Sequence, residues 1–388
     1  MADLLDDLLK SIDSLDDEQF EKLLSVIEAK KSGSQNDTSG LIHNPDTGAV
    51  VACPHCGSAS IKKHGTKDGR QRYRCKDCQK TFSSTVGTLH QHSKLTKYQW
   101  KGLIKGLILN LSIRNIADDI EVNPRTVWYN KQKICNALAE LFYQQDNFNG
   151  IVECDEYIVR LSFKGKRDAN FFVNELGRLP KHHRSYSEKI AYLKKNGLWE
   201  RLQSNPERLE NLLTAKGANP GRIHEQASIL TCKDRSQNLY ISPVCVGRVE
   251  NQHVFKHLSG RIDHNTIIVT DTYAPYQNFA EMENIQIEQI LFQRHAKGAF
   301  NLGNINSLHS RISAFWPKEA ERDPATKYID LQLMLFWWLE KNKALSINDK
   351  VDTLYNLMSE QFYDQLTYER LKSRPLQLDT KNLIPQRV

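Results

Sequence analysis

The chain has 388 residues, too many for one ordinary domain, and its 39% hydrophobic and 26% charged residues suit a soluble globular protein. The formal net charge is +7, an excess modest enough that its placement matters more than its sum. No run approaches the ~18 consecutive apolar residues of a membrane span. Residues 1–10 are acidic and lack the basic start and apolar centre of a secretory signal, so a cytoplasmic, reducing setting is expected.

Residues 1–31 place Leu4, Leu5, Leu8, Leu9 and Ile12, then Phe20, Leu23, Leu24 and Ile27, at helical spacing. That predicts one or two amphipathic helices. Nine acids against four lysines give this segment a net −5, so it is expected to pack on its own chain or on another copy rather than on DNA. Residues 32–50 are rich in Ser, Gly, Asn, Asp and Thr and read as a linker.

Residues 51–86 carry Cys53 and Cys56, then Cys75 and Cys78, with 18 residues between the pairs. In a reducing compartment this spacing predicts a zinc ribbon, in which two turns supply four thiolates to a closed tetrahedral Zn²⁺ shell. His55 and His64 lie nearby, but four sulfurs already fill that shell. Between residues 53 and 80 there are eight Lys or Arg and two Asp, a net +6 that holds nearly all the excess charge of the chain. Arg70, Arg72 and Arg74 alternate along a predicted strand, a row suited to DNA phosphates or to protecting a hairpin edge. The remaining cysteines, Cys135, Cys154, Cys232 and Cys245, stand singly and read as buried small hydrophobes.

Residues 95–145 predict a helix-turn-helix. A short helix carries Ile116, Ala117 and Ile120, a turn follows at 121–123, and Pro124 suits the first turn of a second helix. Arg125, Thr126, Tyr129, Asn130 and Lys133 are then expected to face a major groove. A plain three-helix bundle can imitate this pattern.

Residues 150–340 read as one α/β domain. Strands are expected at 150–161, 227–232 and 239–246, a helix at 251–258, a strand at 266–271, a helix, a strand at 287–292 and a helix at 302–315. Three adjacent strands followed by helix, strand, helix, strand and helix is the order of an RNase H-like domain. Asp155 lies midway along the first strand and Asp271 ends the fourth. In such a sheet these strands are neighbours, so the two carboxylates meet. Acids inside apolar strands need a reason; hard divalent cations, which take oxygen ligands and assist phosphoryl transfer, supply one. Residues 164–226 interrupt the sheet with Lys164, Lys166, Arg167, Lys181, Arg184, Lys194, Lys195 and Arg201, and with helices expected near 187–196 and 206–214. Target-DNA contact and subunit contact are both open for this insertion. Trp337 and Trp338 are expected to pack on the domain, and residues 341–388 read as a C-terminal helix and tail, the tail beginning at 372.

Taken together, the two cysteine pairs, the helix-turn-helix, Asp155 within 152–157, Asp271 at the end of 268–271, the stretch 304–311 and the stretch 325–328 resemble the insertion-sequence transposases of the DDE superfamily, in the subgroup with an N-terminal zinc ribbon. The resemblance implies a multi-domain protein of zinc ribbon, helix-turn-helix and RNase H-like catalytic domain with a helical insertion. It implies binding of double-stranded DNA at the terminal inverted repeats of an element, then strand cleavage and transfer into target DNA with Mg²⁺ or Mn²⁺, by a homo-oligomer assembled on the DNA. The family places a third ligand, usually Glu, on the helix after the fifth strand. Here His309 stands there, with Asn306 one turn earlier, and no Asp or Glu occurs between Glu288 and Glu319. Glu153 or Glu156 is available to help. Lys327 matches a family residue that approaches the phosphate backbone. The departure at His309 leaves a second reading, a DNA-binding regulator with a decayed site.

Overall fold

The computed structural model describes residues 50–67, 70–145, 147–180, 185–214, 226–291, 296–316, 325–359, 367–375 and 377–380. The expected helices of residues 1–31 and the linker to 49 lie outside them. The chain divides into two compact units, residues 1–94 with 356–363, and residues 95–355 with 364–388.

In the first unit, β1 (Ile61–Lys67), β2 (Arg70–Cys75) and β3 (Thr81–Ser83) form an antiparallel sheet in the order β1-β2-β3. So small a sheet has little to bury: its apolar centre is Cys53, Cys75 and Phe82, with Tyr73 stacked on Phe82 at 5.9 Å. Such a unit needs a further source of stability.

The second unit opens with three helices, α1 (Lys97–Ile108), α2 (Ile113–Asp119) and α3 (Pro124–Tyr143). Each begins where the sequence supplies an acceptor for the free backbone N–H groups of the first turn: Thr96 in a capping box with Gln99, Ser112, and Asn123 before Pro124. Gly102 and Gly106 let α2 lie directly on α1. A Cβ at Gly102 would come within 2.5 Å of the Ile120 side chain, and one at Gly106 within 2.5 Å of Ile116.

The main sheet holds β4 (Ile151–Arg160), β5 (Gln226–Asp234), β6 (Leu239–Val246), β7 (Ile267–Thr270) and β8 (Gln286–Gln289) in the order β6-β5-β4-β7-β8. β4, β5 and β6 pair antiparallel; β4–β7 and β7–β8 are parallel. The further helices in chain order are α4 (Tyr186–Lys195), α5 (Trp199–Gln203), α6 (Pro206–Thr214), α7 (Asn251–Leu258), α8 (Ala274–Met282), α9 (Gly303–Phe315), α10 (Ile329–Lys341), α11 (Ile347–Ser359), whose residues from 356 on are assigned to the first unit, and α12 (Tyr368–Ser373). Side chains alternate along a strand. Thus Glu153, Asp155 and Tyr157 of β4 point toward α9, while Glu156 points to the opposite face, where α8 lies. Trp337 and Trp338 are buried in α10, and Trp337 meets Phe142 of α3 edge-on at 5.5 Å. The four single cysteines are buried thiols.

The insertion folds around an apolar cluster of its own, including Val173, Leu193, Leu198, Leu202, Leu212 and Leu213. It is rooted on the sheet through Leu161, Phe171, Phe172 and Leu176 against Ala227 and Val246. One sequence expectation needs correction beyond 372: Asp379 bridges to Cys245 on the outer edge of β6 rather than trailing as a tail.

Candidate functional site

Across the parallel pair, Glu153 is in register with Val269. Two residues further on come Asp155, still within β4, and Asp271, just past the end of β7, near enough for the charge of one to act on the other. Each carboxylate is fixed by a local backbone donor: Asp155 Oδ1 accepts from the Glu156 N–H at 2.8 Å, and Asp271 Oδ1 from the Tyr273 N–H at 3.0 Å. Burial raises the Asp155 carboxyl to about 6; the Glu156 N–H opposes the rise and the charge of Asp271 adds to it.

His309 comes to Asp155 from α9. Its Nδ1 lies 3.9 Å from Asp155 Oδ2, and its Nε2 lies 2.8 Å from Thr231 Oγ1. Thr231 is the cross-strand partner of Asp155, and its hydroxyl donates to the Asp155 carbonyl at 2.7 Å. A hydroxyl has one proton. With that proton on the Asp155 carbonyl, His309 must donate from Nε2, so its Nδ1 carries a lone pair. Burial pulls the His309 pKa down to about 4, so the ring is neutral. The approach at 3.9 Å is therefore no ion pair. It sets a nitrogen lone pair opposite a carboxylate oxygen, an arrangement that a cation between them would satisfy. Two metal–ligand bonds of about 2.1 Å each span a gap of this size.

The other acids of β4 have different tasks. Glu153 is buried and accepts from the Asn304 side-chain amide at 2.6 Å and the Ile305 N–H at 2.9 Å. It fills the role of a capping residue at the start of α9, where Leu302 supplies none. Glu156 accepts from Tyr276 O–H at 2.6 Å on the far face of the sheet. Neither is turned toward the Asp155 carboxylate. Asn306 is exposed on α9. Thr231 was missed in the sequence, where a Thr within an apolar strand was the available sign; Glu153, expected there as a possible aid to the metal, anchors α9 instead.

In the first unit the four cysteines converge. Cys53 and Cys78 sulfurs are 3.6 Å apart, as are those of Cys56 and Cys75. A disulfide needs about 2.05 Å, whereas a tetrahedron with ~2.3 Å metal–sulfur bonds has edges near 3.8 Å. Among the described residues, these four form the one group of three or more His, Cys, Asp or Glu whose ligand atoms all lie within 4.8 Å of one another. Asp155, Asp271 and His309 stand more openly than that.

No family model matches the chain. Over 117 residues it is 35% identical to an uncharacterized protein in transposable element ISH50 of Halobacterium salinarum; the match takes in 30% of this chain and 39% of that protein. The chain is a relative of an insertion-element protein. It spans well under half of that relative's length. Among solved structures, it aligns with a pre-cleavage Mos1 transpososome at 11% identity and a TM-score of 0.25, covering 70% of this chain and 82% of that one. A Mos1 transposase paired-end complex with left transposon end gives 10% identity and 0.17 over the same shares. Scores this low carry no weight for the fold.

The residues expected to meet DNA in this insertion-element relative fall into two groups. Arg70, Arg72 and Arg74 lie on β2, the central strand of its sheet, half-buried, with Arg72 donating to Thr81. On α3 the expected outward row is not outward. Asn130 and Lys133 are buried, and Asn130 donates to the Thr126 carbonyl. The reason is packing: α3 is enclosed by α2, α10 and α12. Trp128 meets Tyr328 and Tyr368, Tyr129 meets Tyr368 at 6.0 Å, and the Arg125 guanidinium lies over the Tyr368 ring at 4.4 Å. The exposed residues of α3 are at its two ends, Pro124 and Arg125 at the start and Tyr143 at the close. Lys327 sits in a short 3₁₀ turn, Thr326–Tyr328, and donates to the Lys372 carbonyl at 3.3 Å. That turn is tied to the end of β4 by paired bonds between Thr326 and Ser162.

Proposed function

We propose that this protein is a transposase of the DDE superfamily that binds element ends and cuts and joins DNA strands with Mg²⁺ or Mn²⁺. The observation that carries the reading is His309 Nδ1 facing Asp155 Oδ2 at 3.9 Å, with Asp271 just past the end of the neighbouring strand β7. The strand order supports an RNase H-like assignment for the second unit. In this reading Asp155, Asp271 and His309 hold the divalent cation, and Asn306 does not. The donors fit: two carboxylates suit a hard cation, and a neutral imidazole completes the set at the cost of one negative charge. When bound, the cation neutralises charge at the scissile phosphate and favours the oxygen nucleophile. The chain's own part is positioning. Thr231 fixes the tautomer and plane of His309, Glu153 anchors the helix that carries it, and the Glu156 and Tyr273 N–H groups orient the two carboxylates.

Cys53, Cys56, Cys75 and Cys78 hold one structural Zn²⁺, and the basic ribbon and the start of α3 provide DNA contacts. The assembly on DNA is a homo-oligomer, as expected for paired element ends. The test is incubation of the full chain with a plasmid carrying its element ends, with and without Mg²⁺. End-specific nicks and joined products that vanish in Asp155→Ala and Asp271→Ala, while end binding persists, are expected. End-specific binding without any metal-dependent product overturns the enzyme reading in favour of a regulator.

A further inference from the structure

The insertion presents a feature that the catalytic reading does not use. Helix α4 is two-faced. Leu193 and Ile190 enter the insertion's own apolar cluster, with the stem of Lys189 buried beside them. Glu188, Ala191, Tyr192 and Lys195, spaced three and four apart, share another face. That face lines a cleft of about 600 Å³ whose opposite wall carries Lys166 and Arg167 from the loop after β4. Three cations therefore meet across one opening. The single acid among them, Glu188, is engaged by the Ser185 N–H at the start of α4, so its charge serves the helix terminus. A lysine in a last helical turn needs no other explanation than the helix dipole, but Lys166, held over the Phe171 ring at 3.6 Å, and Arg167 lie on no helix end and line the cleft. Tyr192, half-buried, supplies an aromatic wall.

The position of the cleft adds to its charge. β4 and β7 pair in parallel over residues 151–153 and 267–269, and Asp155 and Asp271 lie just past the carboxyl end of that paired stretch. β4 continues five residues past Asp155, about 17 Å at the rise of a strand, and the insertion begins there. Lys327 stands beside this root, because Thr326 is bonded to Ser162. A duplex with a phosphate at the carboxylates needs only about five base-pair steps, at ~3.4 Å each, to cover that distance.

We infer that the cleft between Lys166, Arg167 and Lys195 grips the phosphate backbone of DNA that passes the Asp155–Asp271 pair. This rests on the reading above only in taking DNA as the partner.

The test uses the full chain and a duplex of about 30 base pairs, measuring affinity against salt; each phosphate contact contributes roughly 0.9 to the slope of log affinity on log salt. The triple variant Lys166→Ala, Arg167→Ala, Lys195→Ala should bind less tightly, with a slope shallower by about 2 to 3. A control, Lys194→Ala with Arg201→Ala, removes charge from the same insertion outside the cleft, since Lys194 lies over Trp199; its slope should stay near that of the parent. An unchanged slope in the triple variant, or an equal loss in the control, overturns the inference. In the parent protein, bound duplex should shield Lys166 and Lys195 from amine acylation, read by mass spectrometry. Equal modification with and without DNA overturns it without any variant having to fold. A shallower slope together with a negative cleavage assay upholds the cleft and overturns the transposase reading alone. A parent that binds no DNA overturns both.

Discussion

Thr231 shows how a side chain that never touches substrate can decide a site. Its one proton goes to the Asp155 carbonyl, which obliges His309 to donate from Nε2 and to offer Nδ1. Thr231→Val removes the acceptor and should lower metal affinity by about 10- to 100-fold, as loss of an outer partner does. The check is a Mg²⁺ titration of cleavage, with DNA binding unchanged; the parent's titration curve would contradict the assignment. Under the same assay His309→Glu should keep or strengthen Mg²⁺ use, and Asn306→Ala should match the parent. The buried carboxyls carry a pH signature as well. Burial raises Asp155 from 3.8 to about 6, so the folded chain holds this proton more tightly than the unfolded one. The stabilisation is full below about pH 4 and is lost as pH rises through 6. In metal-free protein at pH 7, Asp155→Asn should therefore raise the melting temperature, by an amount worth at most about 3 kcal/mol. No rise, or a fall, contradicts this. Asp155 and Asp271 were legible because ionisable groups in apolar strands are conspicuous. Thr231 was not, and Glu153 was named for the metal rather than for α9, because their roles depend on which residue stands across the strand or beneath the helix, and that register is a property of the sheet.

At the level of elements, the order of strands and helices was legible from periodicity and caps. The strands of the main sheet, α7, α9 and the insertion's helices at 186–195 and 206–214 appear within a few residues of where the sequence puts them. What periodicity did not give is which face of α3 is covered. Its polar residues suggested an outward reading surface, yet Asn130 and Lys133 are buried, because aromatic residues more than 190 positions away along the chain close over the helix. Long-range partners leave no local mark. The α1–α2 contact, by contrast, is written in two glycines. Gly106→Ala puts a methyl group 2.5 Å from Ile116 Cγ1, and the overpacking should cost about 1–3 kcal/mol despite the better helix propensity of Ala. Chemical denaturation checks it. Ile116→Val in the Gly106→Ala background should recover part of the loss; a neutral single variant would show that the helices can separate freely.

For the whole molecule, stability is divided between the two units. The first has a three-stranded sheet around Cys53, Cys75 and Phe82, too little apolar burial to stand alone, so its fold should depend on metal. Purified protein is expected to carry one zinc per chain, and Cys75→Ser should abolish hydrogen-exchange protection in β1–β3 while leaving β4–β7 protected. Protection retained in β1–β3 would mean the ribbon folds on its side chains alone. The second unit has a different exposure to manage. A sheet with a free border invites a neighbour's backbone to join it. On the outer side of β6 that invitation is answered from within: Val246 donates to the Asp379 carbonyl at 2.7 Å, Asp379 donates to the Val244 carbonyl at 2.8 Å, and His253 holds the Asp379 carboxylate at 3.0 Å. Two copies meeting along this border would find these hydrogen-bonding groups already taken, so fusion of their sheets through this end of β6 requires Asp379 to be displaced first.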